Sequence, residues 1–257
     1  MNDTAMLSDE ELLRYSRQIL LQQIDIDGQL RLKNSRVLIV GVGGLGSPVA
    51  LYLAAAGVGE LHLADFDTVD MTNLQRQVLH DTASVGQSKV DSASARLLAI
   101  NPNIRLHCHR QALDSDSLAD AVAAVDLVLD CSDNFSTREA VNAACVAASV
   151  PLVSGAAIRL EGQISVFDPR REDSPCYHCI YGHGSDAELT CSEAGVVGPL
   201  VGLVGSLQAL EALKLLAGFG EPLVGRLLLV DALNSRFREL RVKRDAGCEV
   251  CGVKHGE

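Results

Sequence analysis

The chain has 257 residues, 47% hydrophobic and 21% charged: enough apolar residue for one large core, too little charge for a disordered chain. Its net charge of −11 excludes the basic footprint that a nucleic-acid binder needs. The polar, acidic start MNDTAMLSDEELL carries no signal or transit peptide, and the longest apolar stretch, Val196 to Leu207, is too short to span a bilayer before Gln208, Glu211 and Lys214, so a cytoplasmic protein off the membrane is expected.

The first predicted element is a helix over 9–21. Ser8 and Glu11 fit a capping box, and Leu12, Ile19 and Leu20 form its apolar face, with Arg14 and Arg17 as solvated charges at the edge. Val37 to Val40 then read as a strand buried on both faces. Gly41, Gly43, Gly44 and Gly46 follow at once, and a small-residue helix runs over 47–56. Strand, glycine turn and helix together turn G-x-G-x-x-G into a nucleotide-binding fingerprint. Missing Cβ atoms let the backbone approach phosphates, and free N–H groups at the helix start point at the anion. No Gly-Lys-Ser/Thr follows, so this is not a P-loop. A turn that merely packs tightly is the competing reading.

A second strand over 60–64 ends in Asp65-Phe66-Asp67, where a dinucleotide fold holds a ribose hydroxyl. The polar stretch 68–79 lacks periodicity and lies where site residues gather. A helix over 87–100 carries Lys89 in its first turn, a position that disfavours a cation unless it faces an anion. Ile104, Leu106 and Cys108 alternate as a third strand, and 125–130 form a fourth. Asp133 follows it, suited to magnesium through an oxygen, or to capping the helix over 135–148. With a further strand over 151–155, this alternation specifies a Rossmann-like, doubly wound, mostly parallel sheet. Period-two segments at 163–167 and 237–242 continue it as antiparallel strands. Gly198, Gly202 and Gly205 open a helix through Leu216 and admit close approach, by this chain or by a partner.

Of eight cysteines, Cys108, Cys131 and Cys145 read as buried free thiols. Cys176, Cys179, Cys248 and Cys251 form two C-x-x-C pairs, read as one structural four-cysteine zinc site rather than two redox pairs, with His178 an unnecessary extra ligand. Cys191 lies in a polar segment as an exposed loop thiol or a nucleophile; Glu188 and Glu193 nearby disfavour its thiolate.

GVGGLGS, DFDTVDMTNLQRQ, the lysine of GQSKV, DCSDN, VSGAAIRLEGQ and the two C-x-x-C pairs together resemble the MoeB/ThiF/HesA family, bacterial relatives of the ubiquitin-activating enzymes. The resemblance runs from Arg14 to Gly252 and is nearest to the MoeB branch in SGAAIRLEGQ and LTCSEAG. It implies a single adenylation domain over 1–257: a helical arm (1–35), a nucleotide-binding half (36–155), and antiparallel strands, crossover loop and zinc site (156–257). The implied reaction is attack of a C-terminal glycine carboxylate on ATP, giving an acyl-adenylate and pyrophosphate. The carboxylate belongs to a small ubiquitin-like sulfur carrier ending in Gly-Gly, of the MoaD type that forms the small subunit of molybdopterin synthase, in molybdenum cofactor biosynthesis. By the same resemblance Gly44 lies in the phosphate loop and Asp65 holds the ribose. Asn73 and Arg76 meet ATP, Lys89 neutralises phosphate, and Asp133 holds Mg2+ with Asn134 beside it. Arg17 matches an arginine that reaches the other subunit's site, which implies a homodimer. One structural Zn2+ per subunit and a separate sulfurtransferase as sulfur donor are also implied, since no rhodanese segment follows the zinc pair. In ThiF-type members the cysteine matching Cys191 joins covalently to the carrier; the MoeB reading leaves it dispensable.

Three alternatives stand beside this reading. A ThiF-type enzyme would act on the thiamine carrier ThiS. A nicotinamide-dependent oxidoreductase would use the glycine fingerprint but leaves Arg76, Lys89 and Asp133 without a role. A non-enzymatic, zinc-stabilised adaptor would bind a carrier without chemistry.

Overall fold

A computed structural model describes residues 6–182 and 194–252 of the chain. The capping box forms: Glu11 N donates to Ser8 Oγ at 3.2 Å, and Ser8 N donates to the Glu11 carboxylate at 2.8 Å. The helix expected over 9–21 nevertheless breaks into α1 (Asp9–Arg14) and α2 (Ser16–Ile19). The break falls at Tyr15, whose buried phenol packs on Gly57 and accepts a hydrogen bond from Asn101 Nδ2 at 2.8 Å. The expected apolar face is also corrected. Leu12 and Leu20 are 38% and 71% exposed, while the buried face is Tyr15 with Glu11, which pairs with Lys33 at 2.7 Å.

After α3 (Asp25–Lys33) comes β1 (Arg36–Val40), whose alternation serves two cores. Val37 and Ile39 join one, together with side chains of α4 (Gly46–Ala56), α5 (Lys89–Ile100) and α9 (Gly198–Ala217). Leu38 and Val40 join the other, beneath α6 (Ser115–Ala123) and α7 (Phe135–Ala148). The other strands are β2 (Glu60–Ala64), β3 (Arg105–His109), β4 (Leu127–Asp130), β5 (Leu152–Ile158), β6 (Glu161–Phe167), β7 (Arg226–Asp231) and β8 (Arg236–Arg241). They form one eight-stranded sheet in the order β3-β2-β1-β4-β5-β6-β7-β8. The first five run parallel and the last three antiparallel, as expected of a doubly wound sheet continued by hairpins. Sequence reading missed α6, β7 and the short helix α8 (Tyr177–Tyr181).

The helix α9 corrects the reading of 196–207 as too short to span a bilayer: at 20 residues it is long and apolar enough by length and composition. Its surroundings are nonetheless those of a core helix. Gln208 is fully buried and donates to Asp130 O at 2.8 Å; buried Glu211 accepts from Leu223 N at 2.7 Å and pairs with Lys214 at 2.6 Å. Gly205 lets α9 lie on the start of α4: a Cβ there would meet Leu45 O and Pro48 Cγ at 2.5 Å. Gly202 faces open space.

Candidate active site

The order reverses between β1 and β4, so the loops after these strands diverge and leave a crevice at their carboxyl ends. The glycine loop fills one side of it. Gly41 has φ +89°, a left-handed conformation, and a Cβ on Gly46 would sit 2.0 Å from Gly41 O. Gly46 thus closes the turn, while Gly41, Gly43 and Gly44 line the cleft. Val42 is pinned at both ends. Its N–H donates to Asp65 Oδ2 at 2.9 Å, and its carbonyl lies 3.0 Å from Nε2 of buried His80. For Nε2 to donate there, Nδ1 must accept from Ser92 Oγ at 2.9 Å, which fixes the tautomer. His80 carries no motif, so only the fold reveals it.

Asp65 also accepts from Asp67 N at 2.9 Å. Burial pushes its carboxyl above the ordinary range, although the Lys89 charge and the two backbone N–H groups pull the other way. Lys89 is buried, 2.7 Å from Asp67 Oδ2 and 3.9 Å from Asp65 Oδ2. The anion that a cation at this helix start requires is supplied by the tip of β2. The helix starts at Lys89 rather than residue 87, with Ser88 as its N-cap. Arg76 lines the cleft and donates to Asn73 Oδ1 at 2.7 Å and Thr72 O at 3.3 Å. Asn73 itself does not line the cleft; it aims the arginine.

Beyond β4 the two aspartates divide. Asp130 is fully buried and accepts from Ser132 N, Ser132 Oγ and Ser154 Oγ at 2.6–3.0 Å. Asp133 is exposed in the cleft and takes no hydrogen bond or ion pair among the described residues. The capping alternative for Asp133 falls away, because Asn134 caps α7 by accepting from Thr137 N at 2.9 Å. Arg138 was missed by sequence reading. It lines the cleft, donates to Ser132 O at 2.9 Å and lies 3.9 Å from Asp130. The signal was available: like Lys89, it is a cation in the first turn of a helix.

The fold thus gathers Gly41, Gly43, Gly44, Asp65, Asp67, Arg76, Lys89, Asp133 and Asn134 around one cleft of about 370 Å³. Gln77 joins them, buried beside Gly43, with an Oε1 that has no partner among the described residues. Three cations facing a glycine loop, with one unengaged carboxylate opposite, suit a polyphosphate and a hard cation. Arg17 is not brought there. It follows Tyr15, which packs on Gly57 at the far end of α4, whereas the cleft lies at the near end. An 11-residue helix is about 16 Å long, beyond an arginine's reach.

The four expected cysteines do converge. Their Sγ atoms lie within 4.8 Å of one another, with contacts of 3.8, 3.7 and 3.4 Å. Thiolates about 2.3 Å from a tetrahedral zinc stand about 3.8 Å apart, so the set fits that metal. A disulfide needs sulfurs about 2.0 Å apart, and all four are free thiols. His178 turns away to pair with Glu139 at 2.7 Å. Cys131 and Cys145 are buried free thiols as expected, and Cys108 is half-buried. Cys191, with Glu188 and Glu193, lies outside the described residues.

Comparison with known proteins places these features in company. The model of the ThiF family matches residues 15–250. The chain is 56% identical over 248 residues to the molybdopterin-synthase adenylyltransferase of Escherichia coli K12, covering 96% of this chain and 99% of that one. It is 49% identical over 251 residues to the sulfur carrier protein ThiS adenylyltransferase of the same organism, covering 98% and 99%. Among solved structures, that of E. coli MccB with ATP superposes with a TM-score of 0.80 at 26% identity, covering 93% of this chain and 74% of MccB.

Proposed function

This chain belongs to the ThiF family, and we propose that it adenylates the C-terminal glycine of a small ubiquitin-like sulfur carrier, first among them the small subunit of molybdopterin synthase. The observation that carries this is the cleft itself: three cations and a free carboxylate around a glycine loop whose backbone can approach phosphates. A carrier carboxylate oxygen attacks the α-phosphorus of ATP; the bond to the bridging oxygen breaks, and pyrophosphate leaves with the electron pair. The attacking carboxylate is already ionised at neutral pH, so no general base is required. Positioning and charge neutralisation are the catalytic work.

The residues divide that work. Gly41, Gly43 and Gly44 approach the phosphates, with Gly46 closing the turn behind them. Arg76, aimed by Asn73, together with Lys89 and Arg138, meets the phosphate charge. Asp65 holds the ribose, and Asp67 keeps Lys89 in place. Asp133 would hold Mg2+, with Asn134 fixing the turn beside it, and the ion, when bound, would supply neutralisation of phosphate charge. The four cysteines hold a structural Zn2+ that ties the chain's end to its middle. The whole chain acts as one adenylation domain and releases the adenylate to a separate sulfurtransferase. The test is ATP–pyrophosphate exchange with purified carriers added singly. Exchange only with the thiamine carrier would move the chain to the ThiS branch, and none with any carrier would favour the adaptor.

Arg17 supports a homodimer with shared sites. It is exposed, makes no hydrogen bond or ion pair among the described residues, and cannot reach its own cleft. Around it Leu13, Leu20, Leu21 and Ile26 are 77%, 71%, 51% and 47% exposed, an apolar surface suited to a second copy. Arg17→Ala and Lys89→Ala chains, each nearly inactive alone, are expected to recover about a quarter of wild-type exchange when mixed. Half of randomly assorted dimers are mixed, and each then has one intact site. No recovery after verified subunit exchange counts against shared sites.

Asp65 supplies a pH dependence. Its raised pKa makes ionisation costly to the fold: that stabilising contribution is present below the ordinary carboxylate range and lost as pH rises through the raised value. Ribose binding runs the other way, because it needs the ionised carboxylate as acceptor. Nucleotide affinity is therefore expected to fall on acidification before exposed carboxylates titrate. Asp65→Asn should bind more weakly and lose that inflection; the same inflection in both proteins would remove Asp65 from nucleotide binding.

A further inference from the structure

Three of the chain's seven histidines meet on the edge of the sheet and do not line the cleft. His62 and His107 lie midway along β2 and β3, beside Glu60 at the end of β2 away from the glycine loop, and His109 follows toward the carboxyl end. Strand alternation puts Glu60 and His62 of β2 on one face, and Arg105, His107 and His109 of β3 beside them, with His62 and His107 in register. His62 Nε2 lies 2.9 Å from Glu60 Oε1, and His107 Nε2 lies 3.1 Å from the same oxygen. These three donor atoms all fall within 4.8 Å of one another.

The geometry points to a second metal site, for a divalent first-row ion of the Zn2+ class, formed by Glu60, His62 and His107. Ligand atoms about 2.0–2.1 Å from a tetrahedral zinc stand about 3.3 Å apart, close to the two separations found. Two imidazoles and one carboxylate are a donor set that suits zinc, copper and nickel. The groups behind the ligands are also in place. Arg105 donates to Glu60 Oε2 at 2.9 and 3.2 Å, leaving Oε1 to face the imidazoles. The other ring nitrogen of His62, Nδ1, lies 3.5 Å from His109 Nε2, and the rings of His62 and His107 stack at 4.5 Å. Such outer contacts fix the orientation of ligating imidazoles.

Burial grades across the site. The Glu60 and His62 side chains are 15% and 11% exposed, whereas His107 is 50% exposed, so an ion enters from the His107 side. Three protein ligands leave a fourth position open there. A bound ion would bridge the edge strand β3 to β2. A plain hydrogen-bonded network, with one carboxylate oxygen receiving two imidazole N–H groups, is the competing account, and metal counting separates the two.

The test uses the full chain, saturated with Zn2+ and freed of excess ion by gel filtration, and compares wild type with His107→Ala. Both keep the cysteine cluster, and the half-exposed His107 can be removed without opening the core. Wild type is expected to hold one more equivalent than His107→Ala. In metal-free protein the two should melt alike. Affinity for the additional ion should fall more than about a hundredfold in His107→Ala and about tenfold in His109→Ala. Loaded with Co2+, the difference spectrum should show ligand-field bands without sulfur charge transfer. Equal zinc content and affinity in wild type and His107→Ala would overturn the site, as would a difference spectrum dominated by sulfur charge transfer.

Discussion

Asp133→Ala is expected to reduce carrier-dependent ATP–pyrophosphate exchange at least about a hundredfold while leaving the melting temperature unchanged. The first half follows from what faces the cleft. Arg76, Lys89 and Arg138 line the cleft as the cations proposed to meet the phosphates, and Asp133 is the unengaged carboxylate proposed to hold a cation among them. Removing a group aimed at charge that develops in the transition state costs about two to three orders of magnitude. The second half follows from its surroundings. Asp133 is exposed and unbonded among the described residues, and Asn134 performs the capping of α7, so no helix terminus loses its partner. Substitutions at such positions change stability by about 0.5 kcal/mol or less. Asp133→Asn should fail almost as badly, because it keeps the shape and loses the charge. Near-normal exchange in either variant would take Asp133 out of the mechanism. Asp130→Ala is a useful contrast: it should damage the fold itself, since three hydrogen bonds at a fully buried carboxylate would be lost.

Stripping the metal from the cysteine cluster, or changing Cys248 to serine, is expected to lower the melting temperature by about 10 °C. The cluster joins positions 72 residues apart. A covalent clip closing a loop of that length contributes about 4 kcal/mol through the unfolded state, and each kcal/mol is worth about 2–4 °C in a chain of this size. The disturbance should spread to the cleft in weakened form. Tyr177 N donates to Asn142 Oδ1 of α7 at 2.8 Å, Asn142 Nδ2 contacts Cys176 Sγ at 3.7 Å, and the first turn of α7 carries Arg138. An unchanged melting temperature after verified metal removal would mean that the sulfurs hold nothing structural.

What the sequence disclosed about this molecule was what local chemistry determines. The glycine loop, the tip of β2, the end of β4 and the four converging cysteines each pair a residue type with a strand end or a fixed spacing, and all were legible. The fold brought nine of the named residues to one cleft. What was not legible depended on partners distant in sequence. Tyr15 breaks the first helix only because Gly57 and Asn101 receive it. His80 supports Val42 from 38 residues away. The roles of Asp133 and Asn134 could not be divided by sequence, since either can cap a helix; only the direction of one carbonyl oxygen decides it. The helix α6 was missed although Asp114 caps it and Leu118, Ala121 and Val122 form its buried stripe, a signal present but unread.

The double anchoring of Val42 bears on the thermodynamics of nucleotide capture. With its N–H held by Asp65 and its carbonyl by His80, the centre of the glycine loop is ordered before any ligand arrives. Backbone ordering costs about 1–2 kcal/mol per residue, and here that cost is met during folding rather than on binding. The proposed capture of a nucleotide by this loop would thus be closer to filling a mould than to closing a hand. Its entropy change should be dominated by released water and by the ligand's own lost freedom, and the Val42 amide should exchange its hydrogen slowly in the free protein as well as in the complex.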